Sequence, residues 1–88
     1  MAEIQLQIRN QLGLHARACA LFVKTASRFK SEVLVSRDGL EVNGKSIMGV
    51  MMLAAEYGSE LLLRADGSDE QDAVSAIAKL IESKFGES

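Results

Sequence analysis

The dipeptide Asp38-Gly39 is the sequence feature that most constrains the fold. It separates two short segments with β-strand character, Glu32–Arg37 and Leu40–Asn43. A two-residue type I′ turn needs positive φ at both central positions, and Asp-Gly meets this requirement. We therefore predict a β-hairpin in the middle of the chain, around which the other elements must be arranged.

Hydrophobic periodicity predicts the elements before and after this hairpin. Residues 4–8 alternate between apolar and polar side chains, which is typical of a half-buried strand. Residues 16–29 place apolar side chains at helical intervals and predict an amphipathic helix. After the hairpin, Ser46 can cap a short helix that we expect to end near Gly58, and residues 60–65 read as a fourth strand.

A capping box of Ser68 and Gln71 predicts the start of a last helix. Its apolar face is formed by Val74, Ile77, Leu80 and Ile81. The element order is then β-α-β-β-α-β-α, which favours an α+β fold in which helices pack on one face of a four-stranded antiparallel sheet. With 88 residues, no proline and no linker-like segment, we expect one domain over residues 1–88, with a short ragged tail at residues 86–88.

Composition excludes several classes of function. A formal net charge of -2 argues against a nucleic-acid-binding protein. The start of the chain lacks the pattern of a signal peptide, and no apolar run is long enough to span a bilayer. A single cysteine cannot form an internal disulfide, so we expect a cytoplasmic protein.

The only histidine, His15, is the residue best suited to chemistry. It lies in the segment Gly13-Leu14-His15-Ala16-Arg17, at the predicted junction of a loop and a helix. A helix start offers unpaired N–H groups and partial positive charge, Arg17 adds a cation with donors suited to phosphate, and neutral imidazole is a nucleophile. A polar cap or a plain surface residue is the alternative interpretation of His15. One histidine and one distant cysteine supply too few ligands for a metal site, and we expect neither metal nor cofactor.

Two segments of the chain resemble the signatures of the HPr family, the histidine-containing phosphocarriers of the bacterial phosphoenolpyruvate:sugar phosphotransferase system. Residues 13–17 resemble the family's active-site motif, and residues 43–51, with the sequence Asn-Gly-Lys-Ser-Ile-Met-Gly-Val-Met, resemble the motif around its regulatory serine. The resemblance covers essentially the whole chain. It implies an open-faced β-sandwich, with three helices over the four-stranded sheet.

The resemblance also implies roles for individual residues. His15 would accept a phosphoryl group on Nδ1 from phosphorylated enzyme I and pass it to enzyme IIA domains, while Arg17 neutralises the group. The chain would be a covalent carrier and not a free-standing enzyme. Ser46 would be phosphorylated by an HPr kinase/phosphorylase, and a transcriptional regulator would be a further partner. We expect a monomer whose docking patch consists of Ala20, Leu21, Lys24, Ile47, Met48 and Met51.

This chain differs from the family pattern at two positions, and Met52 allows two interpretations. The family usually has proline after the arginine, where this chain has Ala18, and a small residue where this chain has Cys19. The spacing of Cys19 favours a small buried hydrophobic side chain over a redox group. Met52 is interpreted equally well as core or as surface.

A second class of function is consistent with the same residues. A regulatory binding module of the same fold would act through phosphorylation of Ser46 and contact with a transcription factor. The presence of His15 beside Arg17 favours the phosphocarrier.

Overall fold

The computed structural model describes residues 1–87, and its element order agrees with the predicted one. Four strands and three helices are followed by a short 3₁₀ turn at Lys84–Gly86. The strands are β1 (Ala2–Gln7), β2 (Glu32–Arg37), β3 (Leu40–Asn43) and β4 (Glu60–Asp66), and the helices are α1 (Ala16–Ala26), α2 (Ile47–Met52) and α3 (Glu70–Glu82).

The four strands form one antiparallel sheet in the order β1-β4-β2-β3. The central hairpin is confirmed: Arg37 pairs with Leu40, and Asp38 and Gly39 between them have φ values of 51° and 85°. These positive values at both positions are those that a type I′ turn requires.

The hydrophobic core lies between one face of the sheet and the helices. Along β4, the buried residues Leu61, Leu63 and Ala65 alternate with the half-buried residues Leu62 and Arg64, so one face of the sheet is covered and the other is open. Phe22 of α1 is fully buried in this core. The predicted open-faced α+β sandwich is therefore confirmed.

Three predicted element boundaries are wrong. α1 ends at Ala26 and not at residue 29, because the chain turns there before entering β2. α2 ends at Met52, and Gly58 instead occupies a separate turn with a φ of 87°. Ser68 does not cap the last helix, since Asp69 is the residue that precedes it.

The side chain of Asp69 connects the start of α3 to the entry of β2. Its carboxylate accepts hydrogen bonds from the N–H groups of Lys30 and Ser31 at 2.9 Å each, and from the Ser31 hydroxyl at 2.5 Å. These bonds, with the Ser31 hydroxyl the largest contributor, lower the pKa of Asp69 to about 2. This contact joins positions 38 residues apart, so local periodicity does not predict how the chain enters β2 after α1 ends at Ala26.

No helix within residues 1–87 combines the length and the apolar character needed to cross a membrane.

Candidate functional site

The loop of residues 10–14 places the candidate histidine. Gly13 has a φ of +68°, and a Cβ atom at this position would lie 2.6 Å from the carbonyl oxygen of Ala55. The buried Asn10 side chain donates from Nδ2 to the Gly13 carbonyl oxygen at 2.7 Å, and the Leu14 N–H donates to the Ala55 carbonyl oxygen at 2.9 Å. Glycine is required at position 13 by both its φ and this close approach, so the motif fixes the backbone immediately before His15.

His15 is the N-cap residue of α1, as predicted from its place in the motif. Its backbone is extended (φ −72°, ψ 174°), and its ring makes no capping hydrogen bond. The Cys19 N–H donates to the His15 carbonyl oxygen at 2.9 Å and thereby closes the first turn. The N–H groups of residues 16–18 precede that bond, so the helix start keeps unpaired donors and partial positive charge beside an imidazole that is 31% exposed.

The carboxylate of Glu87 lies against the imidazole. Its oxygens are 3.2 Å from His15 Nε2, 3.0 Å from Asn10 Nδ2 and 3.4 Å from the Leu12 nitrogen. The prediction of a ragged tail is therefore wrong for residues 86 and 87, while residue 88 lies outside the described residues. The amide of Asn10, followed by the N–H of Leu12 and the ring of His15, lowers the pKa of Glu87.

Arg17 is exposed in the first turn of α1 and lines a shallow groove together with His15 and Glu87. No ion pair involves Arg17 within the part of the chain that the structure describes. A second depression on the other side of His15 is lined by Leu12 and Tyr57, among others. The imidazole is thus open to a group arriving from solvent, with a guanidinium available nearby.

Ser46 occupies the N-cap position of α2, as predicted. Its Oγ accepts a hydrogen bond from the Gly49 N–H at 3.1 Å. The side chain is half-buried. The hydroxyl therefore has a structural role that any modification must accommodate.

The six residues of the predicted docking patch lie on α1 and α2, two helices that pack against each other. Five of the six are exposed, and Leu21 is half-buried because it packs against the core. Among its large apolar side chains Met48 is the most exposed, at 78%. Met52, for which the sequence left two interpretations, is 66% exposed. Exposed apolar side chains on adjoining helices are typical of an interaction surface.

Cys19 and Ala18 are both fully buried in α1. Burial raises the pKa of the Cys19 thiol, whose Sγ lies 3.3 Å from the Leu14 carbonyl oxygen. The prediction of a small buried side chain is confirmed. Residues 1–87 contain no group of three or more His, Cys, Asp or Glu side chains placed to hold a metal ion.

Sequence reasoning missed four residues around His15. Leu12 carries a faint signal, since it is a large apolar residue in a polar loop and is 69% exposed. Asn10 bonds the Gly13 carbonyl within the same loop, but its residue type alone does not reveal this contact. Tyr57 and Glu87 carry no signal, because the fold brings them to His15 from distant positions in the sequence.

Comparisons with known proteins agree with this fold and identify the family. The family model described as "PTS HPr component phosphorylation site" matches residues 2–83. The chain is 53% identical to the phosphocarrier protein HPr of Neisseria meningitidis serogroup B over 87 residues, which cover 99% of this chain and 98% of that protein. It is 45% identical over 82 residues to the HPr-like protein Crh of Bacillus subtilis, covering 93% and 96% of the two chains.

A solved structure gives the same result. The crystal structure of HPr-C-His from Thermoanaerobacter tengcongensis superposes with a TM-score of 0.97 at 51% identity, covering 100% of this chain and 99% of that one. This chain is thus a four-stranded open-faced sandwich with a histidine at the start of its first helix. The chain belongs to the HPr family of phosphocarrier proteins of the phosphotransferase system.

Proposed function

We propose that this phosphocarrier accepts a phosphoryl group on His15 from phosphorylated enzyme I and passes it to sugar-specific enzyme IIA domains. The observation that carries the proposal is the arrangement at the start of α1. The ring of His15 makes no capping bond, and the N–H groups of residues 16–18 precede the first intrahelical hydrogen bond. An incoming phosphoryl group therefore meets a nucleophile and several donors at one place.

Arg17 supports the same transfer through charge. Its exposed guanidinium lines the groove beside His15 and can offer two N–H groups to phosphoryl oxygens. It stabilises the negative charge of the phosphoryl group as the group moves between proteins. His15 and Arg17 are the catalytic residues of this proposal.

The docking patch, formed by the six residues given above, is the surface on which partners bind. Its exposed methionines are unbranched and flexible, and such side chains adapt to several partners. Lys24 and Arg17 are exposed on the same helix and favour acidic partner surfaces. We propose that the carrier acts in the cytoplasm, as a monomer, on both enzyme I and enzyme IIA.

Regulation through Ser46 is the second part of the proposal. An HPr kinase/phosphorylase phosphorylates Ser46, and the product receives phosphate at His15 more slowly. Ser46 directly precedes Ile47 and Met48 of the docking patch. A phosphate of about -1.5 to -2 charges at that place opposes the acidic surface of an approaching partner.

A regulatory module that acts through Ser46 and a transcription factor is the second candidate function. The chain is similar to Crh of Bacillus subtilis, whose solved structure is described as that of the catabolite repression HPr, and this similarity favours a regulatory role. The two candidates differ in whether His15 carries phosphate.

Incubation with enzyme I and phosphoenolpyruvate, followed by site mapping, tests the proposal. We expect one phosphoryl group on His15, in an adduct that is labile in acid and stable in alkali, as a phosphoramidate is. His15→Ala should take up no label. Equal labelling of His15→Ala and wild type would overturn the assignment, and an unlabelled wild type would favour the regulatory module.

A further inference from the structure

The end of the chain makes a contact that the proposed transfer does not require. The carboxylate of Glu87 lies 3.2 Å from His15 Nε2, and it also accepts from Asn10 Nδ2 at 3.0 Å. His15 and Glu87 are 72 positions apart in the sequence. No described residue hydrogen-bonds the other ring nitrogen, Nδ1.

The segment that carries Glu87 is held by a buried anchor. Phe85 is only 6% exposed, although it stands two residues before Glu87. Lys84 and Phe85 both have positive φ values, 61° and 55°, which non-glycine residues seldom adopt. Such backbone persists where the surroundings fix it, and it is concentrated at functional sites. The Glu87 N–H also donates to the Lys84 carbonyl oxygen at 2.9 Å, so the carboxylate is presented by a formed turn.

The chemistry of a carboxylate decides which ring nitrogen carries the proton. An ionised carboxylate only accepts hydrogen bonds. Asn10 Nδ2 and the Leu12 N–H both donate to the Glu87 carboxylate, and with the adjacent ring of His15 they lower its pKa and favour the ionised form. In a neutral imidazole the nitrogen facing Glu87 must then be the protonated one, which leaves the lone pair on Nδ1.

We propose that Glu87 is a positioning residue that holds His15 in the Nε2–H tautomer and so presents Nδ1 as the nucleophile. This role of Glu87 in phosphoryl transfer rests on the proposed function. In the transfer, the Nδ1 lone pair forms the bond to phosphorus, while the bond between phosphorus and the donor breaks and its electron pair stays on the donor. The proton remains on Nε2 throughout. The ring therefore becomes cationic as the new bond forms, and the Glu87 carboxylate stabilises this charge.

The other charged groups around the ring do not offer Nε2 an acceptor at hydrogen-bond distance. Arg17 lines the groove on one side of His15 and is a donor only, and Glu56 lines the depression on the other side. Within residues 1–87, the acceptor bonded to Nε2 is Glu87.

Nitrogen-15 NMR of the ring tests the proposal directly. The chain has one histidine, so its two ring nitrogens give unambiguous signals in long-range proton–nitrogen correlation spectra. We expect the Nε2–H tautomer to dominate in wild type at a pH where titration shows the ring to be neutral. Glu87→Ala should lower the ratio of the Nε2–H to the Nδ1–H form by about two- to tenfold. Glu87→Gln, whose amide oxygen can still accept, should retain part of the bias.

Glu82→Ala is the matched control. Glu82 is an exposed glutamate near the end of α3, and its removal changes the net charge by the same amount. It should leave the tautomer ratio unchanged. The rate of transfer from phosphorylated enzyme I should fall in Glu87→Ala with the fraction of molecules in the Nε2–H form, and should not fall in Glu82→Ala.

Two results would overturn the proposal. One is an unchanged tautomer ratio in Glu87→Ala, whatever the transfer rate. The other is an equal change in Glu82→Ala. If wild type takes no phosphate on His15, the proposed function fails by itself, because the tautomer ratio is measured without a phosphoryl donor.

Discussion

The two residues proposed to carry phosphate stand at equivalent places in two helices but are used differently. His15 is the N-cap residue of α1 and Ser46 is that of α2, and both have extended backbone. Ser46 Oγ accepts from the Gly49 N–H at 3.1 Å, whereas the His15 ring makes no capping bond. One side chain stabilises its helix, and the other is left available for chemistry.

Helix length and packing explain why α1 tolerates an open start. α1 has 11 residues and buries Ala18, Cys19, Phe22 and Ala26, so its stability comes from the core. α2 has six residues and buries only Val50 within the helix. Short helices are marginal by themselves, and α2 therefore depends more on its cap. A reactive residue can replace a cap where tertiary packing already holds the helix.

Arg17→Ala should have the largest effect on transfer at the open start of α1. Loss of a charged hydrogen bond to the phosphoryl group costs roughly 1.5–3 kcal/mol in the transition state, or about 10- to 150-fold in rate. Transfer from phosphorylated enzyme I is the measurement. Arg28→Ala, which removes the same charge beyond the other end of α1, is the control. An unchanged rate for Arg17→Ala would remove this residue from the mechanism.

Ser46→Asp should weaken binding of enzyme I by about fivefold, the effect of roughly 1 kcal/mol between exposed charges. Aspartate is itself a good N-cap residue, so the free energy of unfolding should change little. Ser46→Asn is the matched control, because asparagine also caps and has the same shape without the charge. Equal affinities for these two variants would leave Ser46 as a helix cap only.

Features that depend on neighbours in the sequence could be predicted from it. The turn at Asp38-Gly39 needs only two residues that accept positive φ, and Ser46 finds its donor three residues away at Gly49. The position of His15 at a helix start follows equally from local spacing and from the motif. These features account for the fold and for the reactive residue itself.

Features that depend on distant contacts could not be predicted. The apolar spacing extends α1 to residue 29, but Asp69 binds the backbone of Lys30 and Ser31 and the helix ends at Ala26. The contact between His15 and Glu87 could not be predicted for the same reason, since the two residues are 72 positions apart in the sequence. Local periodicity contains no information on such pairings.

Ser46→Ala should destabilise the protein by about 1 kcal/mol, because the Gly49 N–H loses its acceptor. Chemical denaturation gives the free energy of unfolding. Ser68→Ala is a suitable control, since Ser68 is exposed and Asp69 takes the N-cap position of α3. Its effect should stay within about 0.5 kcal/mol of zero. If Ser46→Ala and Ser68→Ala lower the free energy of unfolding by the same amount, the cap of α2 contributes no more than an exposed serine does. The contrast between a capped α2 and an uncapped α1 then has no energetic basis.

Ala18→Pro should have the smallest effect, a stabilisation of about 0.4–1 kcal/mol. The N–H of Ala18 precedes the Cys19–His15 bond that closes the first turn of α1, so proline removes no intrahelical hydrogen bond there. It also restricts the unfolded chain. Ala20→Pro, two residues further along the same helix, is the control. There proline removes a helical hydrogen bond, and about 3 kcal/mol should be lost.

Thermal melting of the two proline variants compares these positions directly. A melting temperature for Ala18→Pro at or above that of wild type indicates that the first turn of α1 needs neither its N–H groups nor a side-chain cap to stay folded. A loss as large as that of Ala20→Pro would contradict this. The N–H donors at the start of α1 would then contribute to the stability of that helix. The contrast between the start of α1, which is available for chemistry, and the capped start of α2 would no longer hold.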